Sequence, residues 1–222
     1  MKTKIVFIGN SIVNGFPLSR GRSFPGLIRA AVKAGEATFH ADVINKGVNG
    51  ETTAQILDRF EHDVLDHEPA VVVIMTGTND FIYREADPVS CMGNLKEMGR
   101  MAEEHGIHPV YMTPLPVEAE KAGRMWMNGL GIDYDQVNEE IQVFSDMIRD
   151  SGALCIDSWE AWTAFAGGKA ELAYLPLQEQ NVLPTSSGDA YLDGVHPTPE
   201  GYRFLAGTVL AWLEKHAEEL GL

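Results

Sequence analysis

Positive charge is scarce in this chain. Lysine and arginine together number 17 against 32 aspartates and glutamates, a formal net charge of −15. Nucleic acid needs a basic face to neutralise its phosphates, so this balance argues against it as a partner. Cysteine is nearly absent. Cys91 and Cys155 alone make no disulfide framework, and Cys155, inside the apolar run Ala153-Leu154-Cys155-Ile156, reads as a buried free thiol. Two such thiols fit a reducing compartment. Long apolar runs are also missing. No window approaches the ~20 residues of a membrane span. The run Lys4-Ile5-Val6-Phe7-Ile8 is too short for a signal-peptide core, so the expectation is a cytoplasmic protein. The chain has no G-x-x-x-x-G-K-[ST] and no G-x-G-x-x-G phosphate loop. Repeats, low-complexity tracts and linkers are lacking too. The 222 residues therefore read as one domain, 1–222, long enough to bury roughly 70–75% of the unfolded surface.

What is present is an alternation of apolar runs with helical patterns. Strands are expected at 4–8, 39–45, 70–76, 108–113 and 153–156, and helices at 23–34, 52–66, 88–105, 134–150 and 199–219. The strands are β-branched and do not alternate with polar residues, as in parallel sheets covered on both faces. Gly35 and Gly106 stop two helices, and Thr198-Pro199-Glu200 starts the last. Leu205, Val209, Trp212 and Leu213 lie at helical spacing and should dock that helix on the core. The fold class is α/β, three layers around a five-stranded parallel sheet in flavodoxin-like order 2-1-3-4-5. Two stretches, about 114–133 and 167–192, fit no regular element and are long enough for functional loops. The first follows the fourth strand and the second precedes Asp193. Both belong on the carboxyl-end side of the sheet, where open α/β folds bind ligands.

Four short motifs fall at that same edge. Gly9-Asn10-Ser11 follows the first strand; Ser11 is either a helix cap or an exposed nucleophile. Asn45 to Thr53, NKGVNGETT, follows the second. Thr52 suits a helix cap, which puts Gly50 beside a helix N-terminus, either as an ordinary turn or as an anion-facing N–H. Gly77-Thr78-Asn79-Asp80 closes the third strand, and the Asn79 amide offers two N–H donors without charge, or simply an Asx turn. Asp193-Gly194-Val195-His196-Pro197 precedes the last helix. There the carboxylate can receive Nδ1–H and leave Nε2 as acceptor, although a lone histidine near a helix start is often surface decoration. Singly each has a bland reading. Jointly they supply a nucleophile, a base, an orienter for the base and uncharged donors, the parts that acyl transfer needs.

In those blocks, in that order and across nearly the whole chain, the sequence resembles the SGNH hydrolases of the GDSL-type esterase/lipase family. The resemblance implies Ser11, Asp193 and His196 as catalytic residues. It implies Ser11, Gly50 and Asn79 as the oxyanion hole, hydrolysis of a carboxylic ester through an acyl-enzyme, and neither metal nor organic cofactor. One departure is visible: Asn10 stands where the family usually has Asp, beside the nucleophile. Asn can make similar hydrogen bonds without charge, so activity is expected to survive.

The substrate is expected to be a small ester, a short acyl group on an alcohol or sugar. A lysophospholipase or thioesterase on the same residues is the alternative. Met125-Trp126-Met127 in the first loop, with Tyr174, Leu175 and Leu177 in the second, read either as pocket wall or as apolar glue for long loops. Rival classes are a flavodoxin-like nucleotide or phosphate binder, which lacks its glycine signature, and a metal phosphoesterase built on Asp80, Asp193 and His196. A non-catalytic interaction protein on the same scaffold is a third. The sequence does not fix an oligomeric state.

Overall fold

In a computed structural model, which describes residues 3–126, 131–167 and 190–222, the five strands form one parallel sheet in the order β2-β1-β3-β4-β5. They are β1 (Lys4–Gly9), β2 (Asp42–Gly47), β3 (Val71–Met75), β4 (His108–Met112) and β5 (Cys155–Ile156). Order and parallel pairing match the expectation. The register sets Gly9 opposite both Gly47 and Met75. The segments that leave β1, β2 and β3 therefore emerge side by side at one edge.

Ten helices among the described residues cover the sheet. They are α1 (Ser11–Asn14), α2 (Phe24–Ala34), α3 (Thr53–Asp58), α4 (Phe60–Asp63), α5 (Thr78–Tyr83), α6 (Pro88–Glu104), α7 (Ala119–Met125), α8 (Tyr134–Arg149), α9 (Ser158–Ala166) and α10 (Pro199–Lys215). Strand alternation divides the core in two. Ile5, Phe7, Val71 and Val73 pack with Phe24, Ile28, Leu205 and Val209 of α2 and α10. Val6, Ile8, Val72 and Ile74 pack with Leu95, Met98, Ile141 and Phe144 of α6 and α8. Every residue of β3 is buried because both of its faces are inside, hence its unbroken apolar run.

Local signals set several boundaries as expected. Ser23 caps α2 through Gly26 N–H at 3.1 Å, and Gly35 ends it at φ 76°. Thr198 caps α10 through Gly201 N–H at 3.1 Å. Leu205, Val209 and Leu213 are buried and Trp212 packs partly buried beside them.

Other boundaries move. The second strand runs Asp42–Gly47 rather than 39–45. It is an edge strand paired only to β1, so polar Asn45 and Lys46 are tolerated on it, while Phe39 packs into the core from the preceding loop. The helix expected over 52–66 is broken at Arg59 into α3 and α4, followed by a 3₁₀ turn at Leu65–His67. The last helix stops at Lys215, short of 219. Part of the 114–133 stretch is helical, as α7. The second stretch falls largely on 168–189, outside the described residues, with Tyr174, Leu175 and Leu177.

Candidate active site

The chain has no room for a side chain as it leaves β1. A Cβ on Gly9 would stand 2.1 Å from the Met75 carbonyl oxygen, so only glycine passes. Asn10 then caps α1, its Oδ1 accepting the Ile12 N–H at 3.2 Å. A neutral amide meets that need as a carboxylate would. Ser11 opens α1 and is almost fully buried, 7% exposed. Asn45 of β2 steadies this turn, its Nδ2 donating to the Val13 carbonyl at 2.8 Å.

His196 reaches Ser11 from 185 residues further along. Its Nε2 lies 2.9 Å from Ser11 Oγ, and its Nδ1 lies 2.7 Å from Asp193 Oδ2. The other carboxylate oxygen of Asp193 accepts the backbone N–H groups of Val195 at 2.9 Å and His196 at 2.7 Å. Burial alone would raise the Asp193 pKa. The hydrogen bonds from the His196 ring and from the two N–H groups outweigh burial and hold it below the usual carboxylate range. The turn is a closed loop. Leu192 N–H donates to the His196 carbonyl at 2.8 Å, and Thr198 N–H to the Ala190 carbonyl at 2.9 Å. Glu118 N–H holds the Gly194 carbonyl at 2.8 Å and Lys121 Nζ holds the Tyr191 carbonyl at 2.7 Å, so the turn is docked beside α7.

The other two motifs close the site from the opposite side. Gly50 sits at φ 80°, two residues before Thr52, the cap of α3. Asn79 Nδ2 donates one hydrogen to the Glu51 carbonyl at 2.9 Å, which leaves the second free of that contact. Asp80 does not face Asp193 and His196. Its carboxylate accepts Thr53 N–H at 3.0 Å and Thr53 Oγ–H at 2.7 Å, tying the third motif to the second. Burial raises its pKa above the usual range despite those bonds. Among the described residues no cluster of three or more His, Cys, Asp or Glu is arranged to hold a metal ion.

Ser11, Gly50, Asn79 and His196 line one cavity of about 290 Å³. Its walls are aromatic and apolar, with Phe16, Ile82, Tyr83, Trp126 and Tyr134. Phe16 meets the His196 ring edge-on at 4.7 Å, and Trp126 lies 5.9 Å from it. Burial, then the charge of Asp193, keeps the Tyr134 hydroxyl above its ordinary pKa and so neutral. Of the wall residues singled out in the sequence, Trp126 lines the cavity. Met125 does not; it lies beside the rim and is largely exposed. Met127 falls outside the described residues. Phe16, Tyr83 and Tyr134 belong to none of the four motifs. The one available signal was position, just after the first and third motifs for Phe16 and Tyr83.

A parallel sheet in this order, with a buried hydroxyl and imidazole and a partly buried carboxylate in series at its carboxyl edge, puts the chain in the class of α/β hydrolytic enzymes. The model of the GDSL-like lipase/acylhydrolase family matches residues 7–204, and the chain belongs to that family of ester hydrolases. It is 24% identical to the isoamyl acetate-hydrolyzing esterase of Saccharomyces cerevisiae, over 95% of this chain and 86% of that one. It is 29% identical to the Bacillus subtilis protein named uncharacterized lipoprotein YqeF, over 74% of this chain and 70% of that one. The crystal structure of the lipase/acylhydrolase from Enterococcus faecalis superposes with a TM-score of 0.72 at 21% identity, covering 96% of each chain. No helix among the described residues is long and apolar enough to cross a membrane.

Proposed function

We propose that the protein hydrolyses short-chain carboxylic esters of alcohols or sugars through an acyl-enzyme on Ser11. Ser11 Oγ attacks the ester carbonyl carbon while its proton passes to His196 Nε2. Asp193 holds Nδ1–H, fixes the tautomer and stabilises the imidazolium without being protonated. The carbonyl oxygen becomes an oxyanion facing the N–H groups of Ser11 and Gly50 and the free Nδ2–H of Asn79. Collapse breaks the bond to the alcohol oxygen, which takes the proton from Nε2 and leaves. Water then enters, gives its proton to the same nitrogen and attacks the acyl carbon; Ser11 recovers its proton as the acid departs. The observation that carries this reading is the 2.9 Å contact between Ser11 Oγ and His196 Nε2, in series with Asp193.

The size of the cavity supports a small substrate. About 290 Å³ is at the lower edge of the range for ligand sites, roughly 300 Å³ and up. Exposed Tyr83 and Trp126 at its mouth, with Met125 beside them, offer an apolar rim to the part of the ester that emerges. The yeast relative is named for an acetate ester, which fits the same size class. Two free thiols suit a reducing compartment: Cys91 is buried, and Cys155 is partly buried rather than fully so, its pKa still pushed up to about 11 by desolvation. The test is a panel of p-nitrophenyl esters of increasing acyl length, with acetylated sugars, on the native protein and Ser11→Ala. Acetate or butyrate should be preferred, and Ser11→Ala should lose about 10⁴-fold or more in kcat. An active Ser11→Ala would end the proposal. A preference for long-chain acyl groups would move it to the lysophospholipase reading.

A further inference from the structure

Residue 59 interrupts a helix that the apolar pattern would carry from 52 to 66. Arg59 ends α3 and precedes α4, at φ −103° and ψ 5°. From that break its guanidinium reaches three different partners. Nε donates to Glu51 Oε2 at 2.6 Å and Nη1 to Asp63 Oδ2 at 2.6 Å. Nη2 donates to the backbone carbonyl of Gly9 at 3.1 Å. Gly9 ends β1, two residues before Ser11. Glu51 follows Gly50, and its own carbonyl holds Asn79 Nδ2 at 2.9 Å. One side chain thus touches the turn that carries the hydroxyl and the segment that carries Gly50 and holds the Asn79 amide through the Glu51 carbonyl. It does so without lining the cavity.

The clamp is well anchored. The Arg59, Glu51 and Asp63 side chains are 17%, 18% and 18% exposed, and Lys46 Nζ braces Asp63 at 3.0 Å from β2. Burial alone would raise the Asp63 pKa, but Arg59 and Lys46 hold it below the usual range, so the anchor stays charged at neutral pH. The Gly9 carbonyl also accepts Val48 N–H at 3.0 Å, from the loop that leads to Gly50. Three divergent contacts suit a planar guanidinium; a lysine ammonium on a flexible stem cannot hold that geometry.

We propose that Arg59 is a positioning residue for the hydrolysis, fixing the nucleophile turn against the oxyanion donors. This rests on the roles given above to Ser11, Gly50 and Asn79. Catalysis by alignment is sensitive to small shifts: a displacement of about 1 Å is worth roughly 10²-fold in rate. A residue that aligns donors for the oxyanion should act on kcat and on binding of tetrahedral mimics, and should leave binding of the planar ester nearly untouched.

The test uses Arg59→Gln, Arg59→Lys and Ser11→Ala. Melting temperature, kcat and KM are measured on p-nitrophenyl acetate well below each melting point, with inhibition by a trifluoromethyl ketone as tetrahedral mimic. Arg59→Gln should lower kcat by about 10- to 100-fold with KM within about threefold. Affinity for the ketone should fall in parallel. Arg59→Lys should recover little of either. A folded Arg59→Gln with native kcat and native ketone affinity overturns the proposal, even if its melting temperature falls, because Arg59 is then a brace for the fold alone. Should Arg59→Gln fail to fold, Arg59→Lys decides by the same readings. Residual activity in Ser11→Ala would instead refute the underlying role of Ser11.

Discussion

Removing the Asn79 side chain isolates one term of the proposed chemistry. The amide nitrogen carries two hydrogens. One is taken by the Glu51 carbonyl at 2.9 Å, so a single N–H remains for an oxyanion in the cavity that Asn79 lines. In the ground state that N–H meets a neutral ester carbonyl and contributes little. In the tetrahedral state it meets a full negative charge, inside a site whose other walls are apolar. Loss of one such donor costs about 10²–10³ in kcat, or about 2.7–4 kcal/mol of transition-state stabilisation. Asn79→Ala should show that loss with KM nearly unchanged. The fold should weaken by only about 1 kcal/mol, for the bond to Glu51. Asn79→Asp sharpens the test. It fills the same volume but turns the donor into a carboxylate, which faces the Glu51 carbonyl and the oxyanion with like polarity. It should be slower than Asn79→Ala. Steady-state kinetics on p-nitrophenyl acetate, with urea unfolding of each variant, read both quantities. A rise in KM at native kcat, or an aspartate variant faster than the alanine one, would refute the oxyanion role.

Two further perturbations address the turn that carries His196. Gly194 lies at φ 91°, and a Cβ there would stand 2.3 Å from the backbone nitrogen of Ala122 in α7. Gly194→Ala should cost on the order of 1–3 kcal/mol in urea unfolding and displace the imidazole, lowering kcat as well; native stability and rate together would contradict the packing described. The acid side of the stability curve should report Asp193. Its folded pKa is depressed by its bonds to His196 and Val195, so its contribution is present above the unfolded carboxylate value and is lost as pH falls through the folded one. Asp193→Asn should flatten that part of the curve in urea unfolding at a series of acid pH values, and an unchanged slope would deny that the carboxylate is stabilised in the folded state.

What was legible in the sequence follows the range of the forces involved. β3 could be read from its residues because burial on both faces demands an unbroken apolar run, and AVVVIMT is one. Gly9, Gly50 and Asn79 stand out because a close backbone approach at Gly9, a positive φ at Gly50 and an uncharged donor at Asn79 need particular residue types. The break at Arg59 does not. TAQILDRFEHDVL keeps its helical period through residue 59, and the break coincides with guanidinium contacts to Glu51 and to Gly9, the latter 50 residues away, which no local period encodes. The shift of β2 has a similar cause. Phe39 satisfies an apolar pattern from a loop, while Asn45 is held in the strand by side-chain bonds to Val13 and Ser23 that no local period encodes. The α7 helix leaves no legible period because it buries fully only Ala122, too little to make a stripe.

The same distinction explains how a loop can carry the proposed base with the accuracy that proton transfer needs. A histidine in a free turn would sample many orientations, and the Ser11 contact would form only part of the time. Here the orientation is fixed from three directions at once. Asp193 grips the ring at Nδ1 and the His196 backbone N–H with the same carboxylate. The ring packs against Phe16, whose carbonyl accepts the buried Tyr202 hydroxyl of α10 at 2.8 Å. The turn itself is pinned beside α7 through Gly194 and Tyr191. Tyr202 is the informative member, because it makes the placement of the imidazole depend on the docking of α10. A helix remote in sequence from Ser11 is thereby built into its alignment: Phe16, five residues after the hydroxyl, is held by the element that begins three residues after the imidazole. The proposed nucleophile and base come from opposite ends of the chain, yet each is fixed through the other's neighbours, so the 2.9 Å between them is set by the packed core rather than by either loop.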